Sequence, residues 1–517
     1  MAIEPRENSD PSLKFSTRVQ HLASALLLFT VLYSLTNIYS AAVFNLYPER
    51  IHKLAISFDT AIPFISAFII PYSWSLLLFI ASFFMVRTTK QLANLTHRLL
   101  LATALACLVF YGYPARFSFV RPLISDWSAI GYNFLSLTDK PFNQWPSLHV
   151  SYALLLCFSL WQVFDKQKSK VAVISYRLGL LIVCSLIIVS TVFTYQHHVV
   201  DIIGGIGLTA VVLWLTARIK NKLVSKYLLL AIAGFLLIAI SGFFIRAFFN
   251  TAVLEYLAIV LGLYWLASFI LLAWIYQVQD IRTNKKWFAK NNSGRLTLST
   301  WLSFAPLLLI YKAMSKIGQR YDIYKGKGIK PRITWQPIDN KLGTIATPRL
   351  SAPTFRYECC TKHSNRAGSD CYLIVVDVAA EISSHFIAAQ ADFVRQTPTK
   401  VTQAKQSAFY LYLPLLDLQA FKASDVPTFL TLFKQLDDLT AALATTSDQS
   451  YQIIVINFHC VMGLSRSIAV QVLYLVHCGQ LNLHTYRAWI DEHYCHAHIS
   501  DYYLPQSLVE AIQTASR

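Results

Sequence analysis

Long apolar runs fill the first half of the chain and are separated by short segments that contain basic residues. A helix needs about 20 apolar residues to cross the hydrocarbon core of a bilayer. Runs of that kind lie near residues 19–44, 62–86, 97–113, 147–163, 178–196, 199–217, 227–246 and 254–276. The pattern therefore predicts eight membrane-spanning helices.

The basic residues between the runs predict which side of the membrane each loop faces. Lysine and arginine gather in the loops after the second, fourth and sixth runs, and by the positive-inside rule these loops and the N-terminus are cytoplasmic. The first eighteen residues are charged and lack the short apolar core of a secretory signal, so we expect them to be retained. Residues 114–145 and the turn at 194–198 then face the non-cytoplasmic side.

A shorter apolar stretch at 296–310 contains Pro306 and has lysine and arginine on both sides. Equal charge at the two ends favours an interfacial or re-entrant helix. The alternative is a ninth span, and the choice decides on which side everything C-terminal of it lies.

From about residue 324 the pattern becomes that of a soluble domain. β-Rich runs at 372–378 and 453–458 alternate with helical patterns at 426–443 and 467–478, which predicts an α/β domain. The expected fold class is thus a multi-pass α-helical membrane domain, with a six-helix core and two or more extra helices, followed by a soluble α/β domain. The predicted segments are a cytoplasmic tail at 1–18, a membrane-embedded domain at 19–217, additional transmembrane helices at 218–280, a basic interfacial segment and linker at 281–332, and the soluble domain at 333–517.

Composition agrees with a chain that is partly in the membrane. Of 517 residues, 55% are hydrophobic and the mean hydropathy is +0.45, which excludes a wholly soluble protein. The net charge of +18 comes mostly from loops beside apolar runs, so anionic headgroups are the expected partner and nucleic acid is not. The nine cysteines are scattered and form no disulfide framework. We expect no metal or cofactor, and interpret the group His493, Cys495, His496 and His498 as coincidence.

Polar residues at the ends of three predicted spans are candidates for chemistry, because ionisable groups at membrane depth are costly. His197 and Asp201 are four residues apart, so on a helix the carboxylate can orient the imidazole. Ser147 and His149 follow Pro146, which suits the first helical turn, where backbone N–H groups favour an anion. Arg116 and Arg121 can supply planar charged donors to phosphate oxygens. Together these residues predict a phosphate site.

The order Arg-Pro, Pro-Ser-x-His and His-x-x-x-Asp over roughly 60–217 resembles the type 2 phosphatidic acid phosphatase superfamily, and more narrowly the branch that includes inositol-phosphoceramide synthases. The resemblance implies a six-helix core in which His197 is the nucleophile, Asp201 orients it and His149 protonates the leaving oxygen. It also implies that Arg121 and Ser147 hold phosphate. The sequence departs from the family at Pro114, where a lysine is usual and Arg116 could substitute, and at Thr191, where an arginine is usual.

A second motif follows the apolar run at 453–456, where His459 and Cys460 precede Gly463, Arg466 and Ser467 and a helical pattern begins. A strand, tight loop and helix form a phosphate cradle, and a cysteine at the positive end of a helix is an activated nucleophile. Gly463 permits close backbone approach, while Arg466 can bind two phosphate oxygens. The leaving oxygen needs an acid upstream. Asp417 is the first choice and Asp425 the second.

The pattern His-Cys-x-x-Gly-x-x-Arg-Ser closely resembles the dual-specificity phosphatases of the cysteine-based phosphatase superfamily, over about 333–517. The resemblance implies a phosphocysteine at Cys460, with Asp417 as general acid and Ser467 easing loss of the thiolate. The loop residues Val461, Met462 and Leu464 are apolar, which disfavours a polyphosphorylated inositide. A phosphoprotein and a lipid monophosphate both remain open.

The sequence thus predicts a membrane-bound phosphatase of lipid phosphates that acts through Cys460, with a second, histidine-based phosphatase or phosphotransferase site in the membrane domain. The alternatives are a protein tyrosine/serine/threonine phosphatase anchored by an inactive membrane domain, and an inositol-phosphate headgroup transferase. Expected partners are the bilayer and either lipid phosphates or a phosphoprotein. We expect a bacterial inner (plasma) membrane, with the C-terminal domain in the reducing cytoplasm.

Overall fold

The computed structural model describes residues 13–161, 163, 169–219, 221–291, 294–320, 334–335, 342–348, 370–380, 406–445, 452–460, 465–494, 499 and 503–516. The chain comprises two compact units, Met1–Ala273 and Trp274–Arg517.

The first unit is built almost entirely of helices. They are α1 (Phe15–Leu46), α2 (Ile69–Met85), α3 (Thr89–Gly112), α4 (Ala129–Thr138), α5 (Leu148–Trp161), α6 (Lys170–Phe193), α7 (Val199–Arg218), α8 (Lys222–Phe249) and α9 (Ala252–Val278), whose last residues belong to the second unit. Two short strands, β1 (His52–Lys53) and β2 (Ala115–Arg116), pair in parallel. One-turn helices occupy Pro48–Arg50, Ser57–Ala61 and Ser66–Phe68.

Within the described residues, seven helices are long and apolar enough to cross a membrane: α1, α2 with the turn before it, α3, α6, α7, α8 and α9. The chain is therefore a multi-pass membrane protein. The remaining predicted span, 147–163, corresponds to α5. Its 14 residues rise about 21 Å at 1.5 Å per residue, which is less than the roughly 30 Å of a bilayer core. Helix α5 begins at Leu148, so the candidate residue His149 lies in its first turn.

Helix α3 is the centre of the membrane unit and packs against α1, α5, α7 and α8. Ala102, Ala104 and Ala106 of α3 are fully buried, and such small side chains let neighbouring helices approach closely. The contact between α5 and α7 is closer still at Gly205. A Cβ atom there would lie 2.7 Å from the Ser147 carbonyl oxygen, so only glycine fits. This contact places the beginning of α5 against the first turns of α7.

The second unit contains a five-stranded sheet flanked by helices. Its helices are α10 (Ile281–Trp287), α11 (Leu298–Arg320), α12 (Val426–Thr445), α13 (Arg466–His477), α14 (Tyr486–His493) and α15 (Gln506–Ala515). Its strands are β3 (Thr334–Trp335), β4 (Leu342–Pro348), β5 (Asp370–Ala379), β6 (Gln406–Leu415) and β7 (Gln452–Cys460). The strand order is β3-β4-β7-β5-β6, with β3 antiparallel and the other pairs parallel.

Strand β7 lies in the middle of the sheet and is buried from Ile454 to Cys460. A parallel strand covered on both faces reads as a continuous apolar run, which is why the run at 453–456 was recognisable. Helix α13 follows β7 directly and is buried from Arg466 to Val476. The predicted Cys460 motif therefore lies at the carboxyl end of β7, the usual place for ligand sites in open α/β sheets.

The segment before the sheet packs into the same unit. Ile281 of α10 is buried in the core that also contains Ile456 and Leu473. The apolar part of α11, Leu298–Tyr311, is too short to count as a span, and α11 is kinked at Phe304, two residues before Pro306. The compact α/β unit thus begins at Trp274, ahead of the boundary at 333 that the change in composition indicates.

Candidate functional site

Three residues of the predicted membrane site lie together. His149 is in the first turn of α5, His197 is in the turn between α6 and α7, and Asp201 is in the first turn of α7. The centroids of the two imidazole rings are 5.7 Å apart. His197 Nδ1 lies 3.4 Å from Asp201 Oδ2, an oxygen that also accepts the His198 backbone N–H at 2.8 Å. The arrangement turns the Nε2 edge of His197 away from the carboxylate.

The turn that carries His197 is held at its start by α6. The backbone N–H groups of Gln196 and His197 both donate to the Thr191 carbonyl, at 3.0 and 3.1 Å. Tyr195 takes the left-handed conformation that this tight turn requires, with φ of 52°. The end of α6 therefore fixes the backbone position of His197.

Asp59 holds the other end of this turn and was not found from the sequence. Its carboxylate is buried, accepts the Val199 backbone N–H at 2.9 Å and lies 3.5 Å from His198 Nδ1. The Ser118 backbone N–H donates to His198 Nε2 at 3.2 Å, so the neutral ring carries its proton on Nδ1, facing Asp59. In the sequence Asp59 lies between apolar runs, far from the histidines, and it belongs to no motif that contains them.

Arg121 belongs to the same cluster. Its guanidinium is 5.4 Å from the Tyr132 ring centroid and interacts electrostatically with Tyr72 and Asp139. The Tyr72 ring centroid is 4.7 Å from that of His149. Burial raises the pKa of Asp139, while a hydrogen bond from the Tyr33 hydroxyl and the charges of His197 and Arg121 oppose the shift. Arg121 and His197 are thus within electrostatic reach of one carboxyl group.

Arg116 is placed differently from Arg121. It is exposed, and its guanidinium lies over the Phe44 ring at 4.4 Å from the centroid. Pro114, the position where the resembled family keeps a lysine, is buried, and its carbonyl accepts the His52 N–H at 2.9 Å. The described contacts therefore place Arg121 near Tyr72, whose ring packs on His149, and leave Arg116 on Phe44.

Ser147 caps α5. Its backbone N–H donates to the Asp201 carbonyl at 3.1 Å, and its hydroxyl accepts the Val150 N–H at 3.4 Å. The sequence suggested that backbone N–H groups in this turn face an anion. In the structure the Ser147 N–H instead donates to Asp201, because α7 approaches the start of α5 closely. Thr191 likewise donates its hydroxyl to the Ile188 carbonyl within α6.

Residues 20–225 match the family model described as the PAP2 superfamily, the type 2 phosphatidic acid phosphatases. This region is a PAP2 domain. It contains the three residues His149, His197 and Asp201, and a PAP2 domain supports a phosphatase or phosphotransferase of lipid phosphates. The match is to the superfamily as a whole, so the branch of inositol-phosphoceramide synthases stays a prediction. No curated protein sequence matches the chain.

The residues predicted for the second site meet at the carboxyl ends of β6 and β7. Cys460 ends β7, and its Sγ is 3.4 Å from the hydroxyl oxygen of Ser467 in the first turn of α13. Arg466 donates from its guanidinium to the Leu415 carbonyl at 2.6 Å, and its Nε is 3.7 Å from Asp417 Oδ1. Gly463 lies outside the described residues, as does all of 461–464.

Asp417 follows β6, and Tyr503 contacts both its carboxylate and the next peptide N–H. The Tyr503 hydroxyl donates to Asp417 Oδ1 at 3.0 Å and accepts the Leu418 N–H at 2.7 Å. Burial, followed by the charge of Asp417, raises the pKa of Tyr503, which keeps the phenol protonated as a donor. The Asp417 side chain is 43% exposed and so is open to a ligand. Asp425, by contrast, is buried and accepts the Lys422 N–H in a helix cap.

Behind Cys460 lies a buried polar network centred on Asp377. Its Oδ2 accepts hydrogen bonds from Lys290 Nζ at 2.6 Å and the Tyr410 hydroxyl at 2.7 Å, and its Oδ1 is 3.8 Å from His459 Nε2. Burial by itself would raise the pKa of Asp377, but the charges of Lys290 and His459 and the two hydrogen bonds lower it overall. The network keeps Asp377 ionised beside His459, the residue before Cys460. Nothing in the motif pointed to Lys290.

Among the described residues, no group of three or more histidine, cysteine and acidic side chains is placed to hold a metal ion. Cys495, His496 and His498 lie outside the described residues.

Proposed function

We propose that the PAP2 domain cleaves the phosphate ester of a membrane lipid through a phosphohistidine at His197. The observation that carries the proposal is the pairing of the His149 and His197 rings at 5.7 Å, with Asp201 behind His197. A phosphoryl group held between the rings would meet a nucleophile on one side and an acid on the other. The carboxylate of Asp201 would hold the proton on Nδ1 and leave Nε2 to attack.

The proposed reaction has two steps. His197 Nε2 bonds to phosphorus while the bond from phosphorus to the lipid oxygen breaks, and His149 gives that oxygen a proton. Water then attacks the phosphohistidine, releases its proton to His149 and restores His197. Arg121 would neutralise the charge on the phosphoryl oxygens.

A transferase is the second candidate for the same site. The usual arginine and lysine are replaced by Thr191 and Pro114, and neither supplies a charged donor. An inositol-phosphate headgroup transferase would hold inositol phosphate on His197 after the alcohol of the donor lipid leaves, and an acceptor hydroxyl would then attack phosphorus in place of water. A water-only assay would then show little turnover until an acceptor lipid is added.

We also propose that the α/β unit is a cysteine phosphatase of the dual-specificity type. Two contacts carry this proposal. The Cys460 sulfur is 3.4 Å from the Ser467 hydroxyl, and Arg466 Nε is 3.7 Å from the Asp417 carboxylate. The Cys460 thiolate would attack phosphorus and displace the ester oxygen, which Asp417 protonates. Water would then attack the phosphocysteine and give its proton to Asp417, while Ser467 donates to the departing thiolate.

For the substrate of the cysteine site we propose a lipid phosphomonoester, because the chain that carries it is a multi-pass membrane protein. The alternative is a phosphoprotein, with the PAP2 domain serving as an inactive anchor. We further propose that this unit faces the cytoplasm of a bacterial cell, since a reducing compartment preserves a thiolate nucleophile. Labelling of Cys495 by an impermeant maleimide in sealed inside-out but not right-side-out vesicles would support that orientation.

One experiment tests both sites. Full-length protein in lipid vesicles is assayed for phosphate release from phosphatidylglycerophosphate, phosphatidic acid, a phosphatidylinositol phosphate and a phosphotyrosine peptide. The variants are His197→Ala and Cys460→Ser, with His52→Ala and Cys478→Ser as matched controls. We expect each active-site substitution to abolish release from a different lipid and each control to behave as wild type.

The other outcomes discriminate between the proposals. If Cys460→Ser alone removes all release, the PAP2 domain is a transferase or an anchor, and acceptor lipids are added to separate these. If His197→Ala alone removes it, the cysteine phosphatase proposal is wrong. If Cys460→Ser affects the peptide and no lipid, the lipid assignment of that site is wrong.

A further inference from the structure

A set of hydrogen bonds ties the end of α9 and the residues after it to the last residues of β6 and the loop that follows. The Tyr276 hydroxyl donates to the Asp417 backbone carbonyl at 2.7 Å. Asn284 Nδ2 donates to the Pro414 carbonyl at 3.1 Å and to Gln419 Oε1 at 2.5 Å. Two further bonds join the same segments, from Lys422 Nζ to the Gln279 carbonyl at 3.3 Å and from the Tyr412 hydroxyl to the Phe288 carbonyl at 2.7 Å.

The Tyr276 and Asn284 side chains that make three of these bonds are buried, so the loop has little freedom to leave them. Tyr276 is 2% exposed, and Asn284 and Gln419 are also buried. A buried hydroxyl or amide group that loses its hydrogen-bond partner destabilises the fold by its full desolvation free energy. All of these contacts lie within the compact unit Trp274–Arg517.

Asp417 lies between two tyrosines that hold different parts of it. Tyr503 donates to its carboxylate, and Tyr276 donates to its carbonyl. The next residue, Leu418, has φ of 56°, a left-handed conformation that leucine rarely adopts and that persists only where surrounding contacts enforce it. The direction of the Asp417 side chain therefore depends on contacts made to its backbone.

We propose that Tyr276 is a positioning residue for the general acid of the cysteine site. By holding the Asp417 carbonyl, the end of α9 sets the orientation in which the carboxyl group can protonate the leaving oxygen. The proposal rests on the proposed cysteine phosphatase and deepens it, because it makes the geometry of the acid depend on a residue outside the phosphatase motif. Asn284 and Lys422 help to hold the same loop, through bonds to the chain before and after Asp417.

The test compares two leaving groups, because a general acid matters for a poor leaving group and hardly for a good one. Full-length protein carrying His197→Ala, so that only the cysteine site turns over, is assayed with p-nitrophenyl phosphate and with phenyl phosphate. We expect Tyr276→Phe to lower kcat for phenyl phosphate by about tenfold or more and to leave kcat for p-nitrophenyl phosphate within about twofold. In an Asp417→Asn background, Tyr276→Phe should cause no further loss.

Controls separate this inference from the proposed function and from a folding defect. Tyr256→Phe, an exposed tyrosine of the same helix, should behave as wild type with both esters. If Tyr276→Phe does not accumulate as folded protein, Lys422→Met removes a half-buried contact of the same set and should give a weaker loss of the same selectivity.

Two results would overturn the inference. One is an equal loss with both esters, which indicates a structural role for Tyr276. The other is unchanged turnover of phenyl phosphate. Failure of the proposed function looks different, because Cys460→Ser would then leave the turnover of both esters intact.

Discussion

The sulfur of Cys460 and the hydroxyl oxygen of Ser467 are 3.4 Å apart at the junction of β7 and α13. In the proposed reaction the thiol sulfur is a nucleophile in the first step and a leaving group in the second. A hydroxyl that donates to the sulfur lowers the energy of the thiolate, which assists its departure more than its attack. Ser467 should therefore act mainly on hydrolysis of the phosphocysteine.

Ser467→Ala is expected to slow that second step by roughly 10- to 100-fold, the equivalent of about 1.5 to 3 kcal/mol for a hydrogen bond to a charged group. Rapid-quench assays of the full-length protein with p-nitrophenyl phosphate should show a burst of nitrophenol followed by slow turnover, and the phosphocysteine should accumulate. Cys478→Ser, a thiol change elsewhere in the unit, should show neither effect. An equal loss of burst rate and steady-state rate would contradict this role.

Lys290 and Asp377 form an ion pair with both side chains fully buried. Because removal of one partner leaves the other charge buried, Lys290→Met should destabilise the second unit by about 3 to 5 kcal/mol. The double variant Lys290→Met with Asp377→Asn should recover much of the loss. Half-inactivation temperatures of the cysteine-site activity in full-length protein measure both effects.

The same pair predicts a dependence on pH. In the wild type the pKa of Asp377 lies below its usual value, so its contribution to stability is present above the unfolded pKa of about 3.9 and is lost as pH falls through the lower folded pKa. Without Lys290, burial dominates and raises the folded pKa, so stability is lost as pH rises. Lys290→Met should thus lie closer to wild type at pH 5 than at pH 7. A constant gap between the two pH values would contradict this explanation.

Substitution of Asp59, which faces His198, should impair the PAP2 domain alone. Asp59→Asn removes the charge that faces His198 while keeping an oxygen for the Val199 N–H. The turn that carries His197 should loosen at a cost of about 1 to 3 kcal/mol, which lowers His197-dependent turnover and leaves Cys460-dependent turnover unchanged. Asp126→Asn, an exposed carboxylate at the start of α4, is the control. A loss of both activities would instead indicate a general folding defect.

The residues of the two candidate sites that sequence reasoning could group are those that are near in the chain. His197 and Asp201 are one helical turn apart, and Cys460, Arg466 and Ser467 share one strand-loop-helix motif, so spacing alone brings them together. The partners that hold them come from far away in sequence. Asp59 reaches Val199 across 140 residues, and Lys290 reaches Asp377 across 87.

Hydropathy predicted which segments are apolar helices, but it did not predict the contacts that the ends of those helices make. It indicated the apolar run of α5, but it could not show that α7 approaches closely enough for the Asp201 carbonyl to take the Ser147 N–H. It also identified 296–310 as atypical, without showing that the neighbouring Ile281 and Lys290 pack into the α/β unit. Side-chain pairing across elements is set by packing, which a single sequence does not display.

Two glycines of α7 provide a matched test of how helix packing sets the geometry of the PAP2 site. A Cβ at Gly205 would lie 2.7 Å from the Ser147 carbonyl oxygen and from Val150 Cβ, whereas a Cβ at Gly207 would meet no atom within 4 Å. Both substitutions to alanine bring the same gain in helix propensity, about 1 kcal/mol. They differ in whether α7 must move away from α5.

Gly205→Ala should push α7 from the start of α5 and shift His197 and Asp201 relative to His149. A displacement of about 1 Å at a reacting centre can lower turnover roughly 100-fold, so we expect a loss of His197-dependent phosphate release on the order of 10- to 100-fold. Gly207→Ala should keep wild-type activity and resist heating at least as well as wild type. Equal activity of the two variants would mean that α7 yields without moving the histidines, and that the α5–α7 contact does not set the site.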